Sequence, residues 1–410
     1  MLEKKIVFAT FFPGCLNIHL TKDVGMIPYV LYRDFGYDSY LICYKNDDLS
    51  YLNTDVAGLK LWLLRKGRCH ALEKRIRSVS SGGLPARAAE ALCMFLDTFP
   101  FMLRHARQID ILQLYHYKDE SIIAAFLYKL FNPRGIIYLK LDLHPDVVEL
   151  CKKDPRMVKS SRAYDIASFD VISVEYSESL NVLKDRHPIF RRYADKLYYI
   201  PNGIDGARLS RYIRGYDRKE NIILHAGRIG MHQKASEIAL EAFTRVARQF
   251  PDWELVLMGS MEERFVAYYR DFLEKNSDIK DRIQHPGFLE SREDVYEYYG
   301  KAKIFIFPSR YESFGLVALE AGCMGDALLA SDIPPVRDIT DSGKYGYLCE
   351  VDNIDCFTEK LRHIMTNEDE ASKAGASLSI YVRKAFDWST ICAELQKIFQ
   401  KSMRAEEADR

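Results

Sequence analysis

At 410 residues, with 48% hydrophobic and 12% aromatic side chains, the chain is too long for one ordinary core and apolar enough to bury two. Lys plus Arg and Asp plus Glu both number 58, so the global charge argues against nucleic acid or another polyanion as partner, and any charge-driven binding must be local. The nine cysteines form no C-x-x-C pair and no zinc-ligand spacing, which predicts reduced thiols and a cytoplasmic protein without a metal site. The start, residues 1–10, lacks the long apolar run and cleavage site of a signal peptide. The most apolar window, 88–103, is broken by Glu90, Asp97 and Pro100, which predicts no membrane span.

Taken in chain order, short runs rich in β-branched and aromatic residues alternate with longer helical patterns, as in parallel sheets with crossover helices. The first series of predicted strands is 5–9, 39–43, 109–114, 136–141, 171–174 and 197–200, making one doubly wound domain over 1–200 that is expected to bind the acceptor. The exception is 60–107, which holds ten Lys or Arg against three acids and carries Leu61, Trp62, Leu63, Leu64, Phe95, Phe99, Phe101 and Met102. A basic segment interleaved with bulky apolar residues can lie in an anionic lipid interface, as a peripheral contact on the inner membrane face. The other reading is a solvated helical insertion packing its apolar side on its own domain, and both stay open at this point.

After the turn Pro201-Asn202-Gly203, the hinge candidate, a second series begins at 221–226, 254–258, 303–307 and 327–330. It predicts a second doubly wound domain over 201–385, with a helix from 236 to 250 capped by Ser236. In open α/β sheets ligands bind outside the carboxyl ends of the strands, so two such domains facing each other would hold a substrate in the cleft between them.

The most informative stretch runs from Phe307 to Ala321. A buried strand ends at Phe307, a turn carries Glu312, and a helix beginning near Gly315 carries Glu320. The amides around Phe314 to Val317 lack intrahelical partners and offer a diphosphate the positive end of the helix dipole. Two acids beside a phosphate site make sense if they accept neutral hydroxyls, and Glu320, amid Val317, Ala318, Leu319, Ala321 and Gly322, sits where an unpaired carboxylate would be costly. Gly227-Arg228 after the strand 221–226, with Lys234 before the next helix, supplies two cations for a leaving diphosphate without metal.

These residues, together with Pro201-Asn202-Gly203-Ile204-Asp205, Met258-Gly259-Ser260 and Pro286-Gly287-Phe288, resemble the retaining GT-B glycosyltransferases of family 4, the glycosyl transferases group 1. The resemblance implies a GT-B fold and a hexosyltransferase needing no cofactor beyond a UDP- or GDP-sugar donor, with a glycan or lipid-linked acceptor, in cell-surface polysaccharide or glycoconjugate synthesis. It also implies roles. Gly227, Arg228 and Lys234 would hold the diphosphate, Glu320 the ribose, Glu312 the donor sugar, and Ser313, Phe314, Gly315 and Leu316 the phosphate and sugar through backbone amides. Phe288 would border the base, and His116, in Leu114-Tyr115-His116-Tyr117, would reach the donor sugar's 6-hydroxyl. Asp142 and His144 are weaker candidates, and the paired glycines usual near the N-terminus are absent, leaving Gly14 and Gly25. The family's Pro is missing at Met324-Gly325-Asp326-Ala327. By similarity to the fold, a last helix over about 386–405 would cross back onto the first domain. The alternative is a catalytically inert scaffold or chaperone subunit of the same fold. All four of Arg228, Lys234, Glu312 and Glu320 remain, which favours the enzyme.

Overall fold

A computed structural model describes residues 5–46, 48–67, 84–154 and 166–408. One sheet contains β1 (Val7–Phe11), β2 (Asp38–Tyr44), β3 (Lys60–Leu64), β4 (Ile111–Tyr115), β5 (Ile136–Lys140), β6 (Val171–Val174) and β7 (Leu197–Tyr199). Their order is β3-β2-β1-β4-β5-β6-β7, with every pairing parallel. The other sheet contains β8 (Glu220–Ala226), β9 (Glu254–Met258), β10 (Ile283–Gly287), β11 (Ala302–Phe307), β12 (Ala327–Ser331) and β13 (Tyr347–Cys349), again parallel, in the order β10-β9-β8-β11-β12-β13. The inner strands β4, β5, β11 and β12 are buried along their whole length, as strands covered by helices on both faces must be. The helices used below are α1 (Asp23–Phe35), α2 (Leu84–His105), α3 (Asp119–Phe131), α4 (Ser236–Ala247), α5 (Arg292–Lys301), α6 (Leu316–Met324) and α7 (Trp388–Ala408).

The chain divides into two compact units, Met1–Asn202 with Trp388–Arg410, and Gly203–Asp387. The last helix, α7, belongs to unit 1. Its Trp388, Ile391, Cys392, Leu395 and Phe399 share a core with Phe8, Ile27, Leu31 and Tyr138, and the Phe399 ring lies 5.9 Å from Phe8 and 5.5 Å from Tyr138. In each sheet the strand order reverses once, between β1 and β4 in unit 1 and between β8 and β11 in unit 2. Such a reversal leaves a crevice at the carboxyl ends of the two strands, where α/β proteins bind their ligands.

Several expectations need correction. The segment 60–107 is not one helical insertion. Its start is the edge strand β3, where Trp62 stacks on Tyr40 at 3.8 Å and meets Phe101 at 5.9 Å, so part of its apolar content enters the core. Its end is α2, and residues 68–83, with Arg68, Lys74, Arg75 and Arg77, lie outside the described residues. The cysteines are not all reduced: Cys349 and Cys356 form a disulfide. The chain turns from β13 into a helix whose start is capped by Asn353 accepting from the Cys356 amide at 2.9 Å, which brings the two Cα atoms to 5.8 Å. The free cysteines among the described residues are buried, and Cys69 lies outside them. Ser236 does not cap α4. The cap position is Ala235, in left-handed backbone at φ 48°, and the Ser236 hydroxyl is engaged elsewhere.

That hydroxyl fixes the reversal in unit 2. It accepts from the Gly230 amide at 3.0 Å and joins Nε2 of His225 at 2.8 Å, while His225 Nδ1 donates to the Ile306 carbonyl at 3.0 Å. One fully buried imidazole thus ties β8, β11 and α4 together. Burial holds it down at about 4, and the buried His187 in unit 1 likewise at about 4, against an ordinary value of 6.5. The unfolded chain therefore binds protons that the folded one refuses. The stability these neutral histidines confer is present above pH 6.5 and is lost as pH falls toward 4, by about 1.4 kcal/mol per pH unit for each. Urea unfolding at pH 7 and pH 5 should show this fall, with a shallower one in His225→Phe; equal slopes in the two chains would exclude His225 as a contributor.

Candidate active site

The loops after β8, β9 and β10 all leave their strands through a glycine with positive φ: Gly227 at 126°, Gly259 at 138° and Gly287 at 81°. They are laced together by the Gly227 amide on Met258 O and the Gly259 amide on Gly287 O, both at 2.9 Å. A Cβ on Gly259 would stand 1.8 Å from the Gly227 carbonyl, so the approach requires glycine. This packing drives the chain outward at Arg228, whose side chain is 56% exposed and lies 3.1 Å from Glu262. Its guanidinium also donates to Gln233 Oε1 at 2.9 Å.

Lys234 returns toward β11. Its Nζ sits 2.5 Å from Glu312 Oε1 and 5.4 Å from the centre of the Phe307 ring, and both partners are nearly buried, at 13% and 8% exposure. Gln233 bridges the two cations' surroundings by donating Nε2 to Glu312 Oε2 and to the Tyr311 carbonyl, each at 3.2 Å. Arg228, Gln233, Lys234 and Glu312 thus form one hydrogen-bonded group at the reversal between β8 and β11. Ser309, fully buried in the same loop, has a hydroxyl with no hydrogen-bond partner among the described residues.

Gly315, at φ 97°, turns that loop into α6. Its carbonyl takes the amides of Ala318 and Leu319, at 3.0 and 3.3 Å, so the amides ahead of Ala318 are those that helix geometry leaves without an intrahelical acceptor. Ser313 and Leu316 are half-buried, while the Phe314 ring enters the core, 6.0 Å from Phe386. Only backbone atoms of Phe314 can face a ligand.

Glu320 does not sit in the apolar setting its neighbours predict. Its sequence neighbours are apolar because they form the buried side of α6, whereas Glu320 lies on the other side, 20% exposed and 3.7 Å from Arg292. Its carboxylate also takes the Tyr299 hydroxyl. Glu320 is a partnered surface carboxylate and not an orphan in the core. Phe288, just past β10, is 70% exposed, free to lie along a flat ring.

In unit 1, His116 follows β4 at the reversal between β1 and β4. It has positive φ, 56°, and its amide donates to Lys140 O at 2.9 Å. Burial, with Lys118 adding to it, keeps the imidazole below its usual range, so it is neutral at neutral pH. Beneath it the fully buried Lys140 donates to Ile200 O at 3.1 Å and lies 3.5 Å from Glu175, whose carboxyl burial pushes up to about 8. Asp142 and His144 are exposed, and His144 caps the following helix through the Asp146 amide at 3.3 Å. Gly25 lies inside α1, where a Cβ would meet Leu20, and Gly14 stands in open space.

Sequence reasoning missed Gln233, Glu262, Arg292, His225 and the Lys140–Glu175 pair. Gln233 had a signal, its place beside Lys234. His225 likewise stands three residues before Arg228, whereas Glu262, Arg292 and the Lys140–Glu175 pair meet their partners only through the fold.

Residues 209–378 match the family model described as glycosyl transferases group 1. A phosphatidyl-myo-inositol mannosyltransferase of Mycolicibacterium smegmatis is 28% identical over 212 residues, 49% of this chain and 51% of that protein. The N-acetyl-alpha-D-glucosaminyl L-malate synthase of Bacillus anthracis is 24% identical over 304 residues, 72% of this chain and 76% of the relative. The match thus spans about half the length of the mannosyltransferase. Among solved structures, Anabaena HepE in complex with UDP superposes with a TM-score of 0.67 at 13% identity, covering 97% of this chain and 100% of that one. At that identity the likeness concerns the fold. Residues 209–378 thus resemble the glycosyl transferases group 1, and the two parallel sheets have the GT-B fold.

Proposed function

We propose that this chain is a retaining, metal-independent glycosyltransferase that moves a hexose from a UDP- or GDP-sugar to a glycan or lipid-linked acceptor, in cell-surface polysaccharide or glycoconjugate synthesis. The observation that carries the reading is the nearly buried Lys234–Glu312 pair, joined through Gln233 to Arg228, at the strand-order reversal of unit 2. Sugar transfer builds negative charge on the departing diphosphate. Lys234, Arg228 and the start of α6 offer that charge two cations and a helix dipole. Glu312, already turned toward Lys234, accepts hydroxyls of the donor sugar. Glu320 grips the ribose, and the base lies along Phe288. His116, at the strand-order reversal of unit 1, is a neutral imidazole able to bond a sugar hydroxyl. Retention follows from same-face attack, with the leaving phosphate taking the acceptor's proton. The relatives support the donor class: one bears the name of a mannosyltransferase, and the structure of HepE contains UDP.

A thermal-shift panel of UDP-, GDP- and ADP-sugars tests this, because a ligand bound only by the native state stabilises it by about 2.7 kcal/mol at a hundredfold excess over Kd. At least one donor should raise the melting temperature by about 5 °C or more. A flat response across the panel would remove the reading. With the active donor, Glu320→Ala should raise KM by about tenfold and change kcat less, the pattern of a group that binds ground state and transition state alike.

A further inference from the structure

We propose that the outward face of α2 and α3 lies on an anionic lipid surface, holding unit 1 against a membrane. This goes beyond sugar transfer and does not require it. On α2 the residues Leu92, Leu96, Phe99 and Leu103 fall at spacings of four, three and four, which places them on one stripe, and each is between 36% and 61% exposed. The opposite side of the same helix is already spent on the core through Cys93, Met94, Phe101 and Met102, all buried. The helix is therefore apolar on both sides, and among the described residues it is the inner side that enters the core.

α3 extends the face with Phe126 and Leu130, both more than half exposed. The two helices are continuous there: the Phe99 and Phe131 rings meet edge-on at 5.5 Å, and Phe95 stacks against Phe99 at 5.7 Å. They also end together, with Arg107 donating to Phe131 O at 3.4 Å and Asn132 to Ala106 O at 3.1 Å. An apolar face spread over two helices, large side chains outward, marks a surface that is covered in use.

The charge around it selects the occupant. Arg104 and Arg107 on and beside α2, and Arg134 just after α3, are exposed, while none of the described exposed residues of α2 is acidic. The acids Glu90, Asp119 and Glu120 gather with Arg87 and Lys118 at the starting ends of the helices, around a separate pocket. A second copy of this chain seated on the face would set one arginine rim against another, and like charges oppose that pairing. Anionic headgroups meet the same rim favourably while the acyl boundary takes the leucines and phenylalanines, the arrangement of a helix lying in an interface. No helix among the described residues is long and apolar enough to cross a membrane, so the contact is one of lying on the bilayer.

The test uses the full chain with vesicles of phosphatidylcholine alone or mixed with phosphatidylglycerol, followed by co-sedimentation. Wild type should pellet with the anionic vesicles and far less with phosphatidylcholine. L96D/F126D should lose about tenfold or more of the partitioning, and R104S/R134S about fivefold for each cation, lost preferentially on the anionic vesicles. All replaced side chains are exposed, so thermal melts should match wild type and separate lost binding from lost folding. Wild type left in the supernatant with both vesicles would overturn the proposal, as would either double variant pelleting like wild type. A wild-type dimer on gel filtration that L96D/F126D turns into a monomer, with unchanged pelleting, would assign the face to a second copy.

Discussion

Replacing Lys234 with alanine should lower kcat/KM for the sugar-nucleotide donor by about two to three orders of magnitude, the loss seen when one preorganised charge-stabilising donor is removed. The size follows from the setting. Lys234 is 13% exposed and faces a carboxylate that is 8% exposed, so its charge acts where water screens weakly. Arg228, at 56% exposure, works in a better-screened place, and Arg228→Ala should cost about tenfold. Nucleoside diphosphate release gives both numbers. Lys234→Arg separates charge from shape: it keeps the cation but replaces a point charge with a broader fork beside Glu312. Partial rescue is expected. Near-wild-type turnover in Lys234→Ala would contradict the electrostatic role.

The largest expected loss of stability lies at the other end of the same sheet. Lys219, just before β8, and Asp326, just before β12, are 1% and 0% exposed with Nζ 2.5 Å from Oδ1. The ammonium also donates to Ala302 O at 2.9 Å and Tyr299 O at 3.3 Å, so one buried cation ties the starts of β8, β11 and β12. Removing only one partner leaves the other charge buried and uncompensated, and Asp326→Ala should cost about 3–5 kcal/mol in chemical denaturation. Replacing both, as Lys219→Met with Asp326→Leu, should recover most of that loss, because a well-packed apolar pair forgoes the desolvation cost. Equal destabilisation by the single and double changes would show that the site demands these residues for another reason.

Much of the fold was legible because inner parallel strands are continuous apolar runs. β5, β6, β9, β11 and β12 emerged within a residue or so of their predicted bounds, and Glu254–Met258 coincides with its prediction. The three unpredicted strands, β3, β10 and β13, all lie at the edges of their sheets. An edge strand has one neighbour and a wetter face, so it can carry Lys60, Gln284 or Pro286 and lose the pattern. The site was legible in parts. Arg228, Lys234 and Glu312 were found as motif residues, but their joining through Gln233 across 79 positions of sequence belongs to the parallel pairing of β8 with β11. Glu320 shows the reverse limit, since apolar neighbours in sequence say nothing about which side of a helix a residue occupies. In the segment 60–107, Trp62 and Phe101 pack inward, while Leu96 and Leu103 face out, a split that composition alone does not reveal.

The account depends on Arg228 and Lys234 together holding a diphosphate in unit 2, and calorimetric titration of UDP and of GDP into wild type and Arg228→Ala/Lys234→Ala measures that with no acceptor needed. The expected result is binding of one nucleotide by wild type, weakened at least about a hundredfold in a double variant that circular dichroism shows to be folded, with affinity in wild type falling as salt is raised. Equal affinity in the two proteins would contradict it.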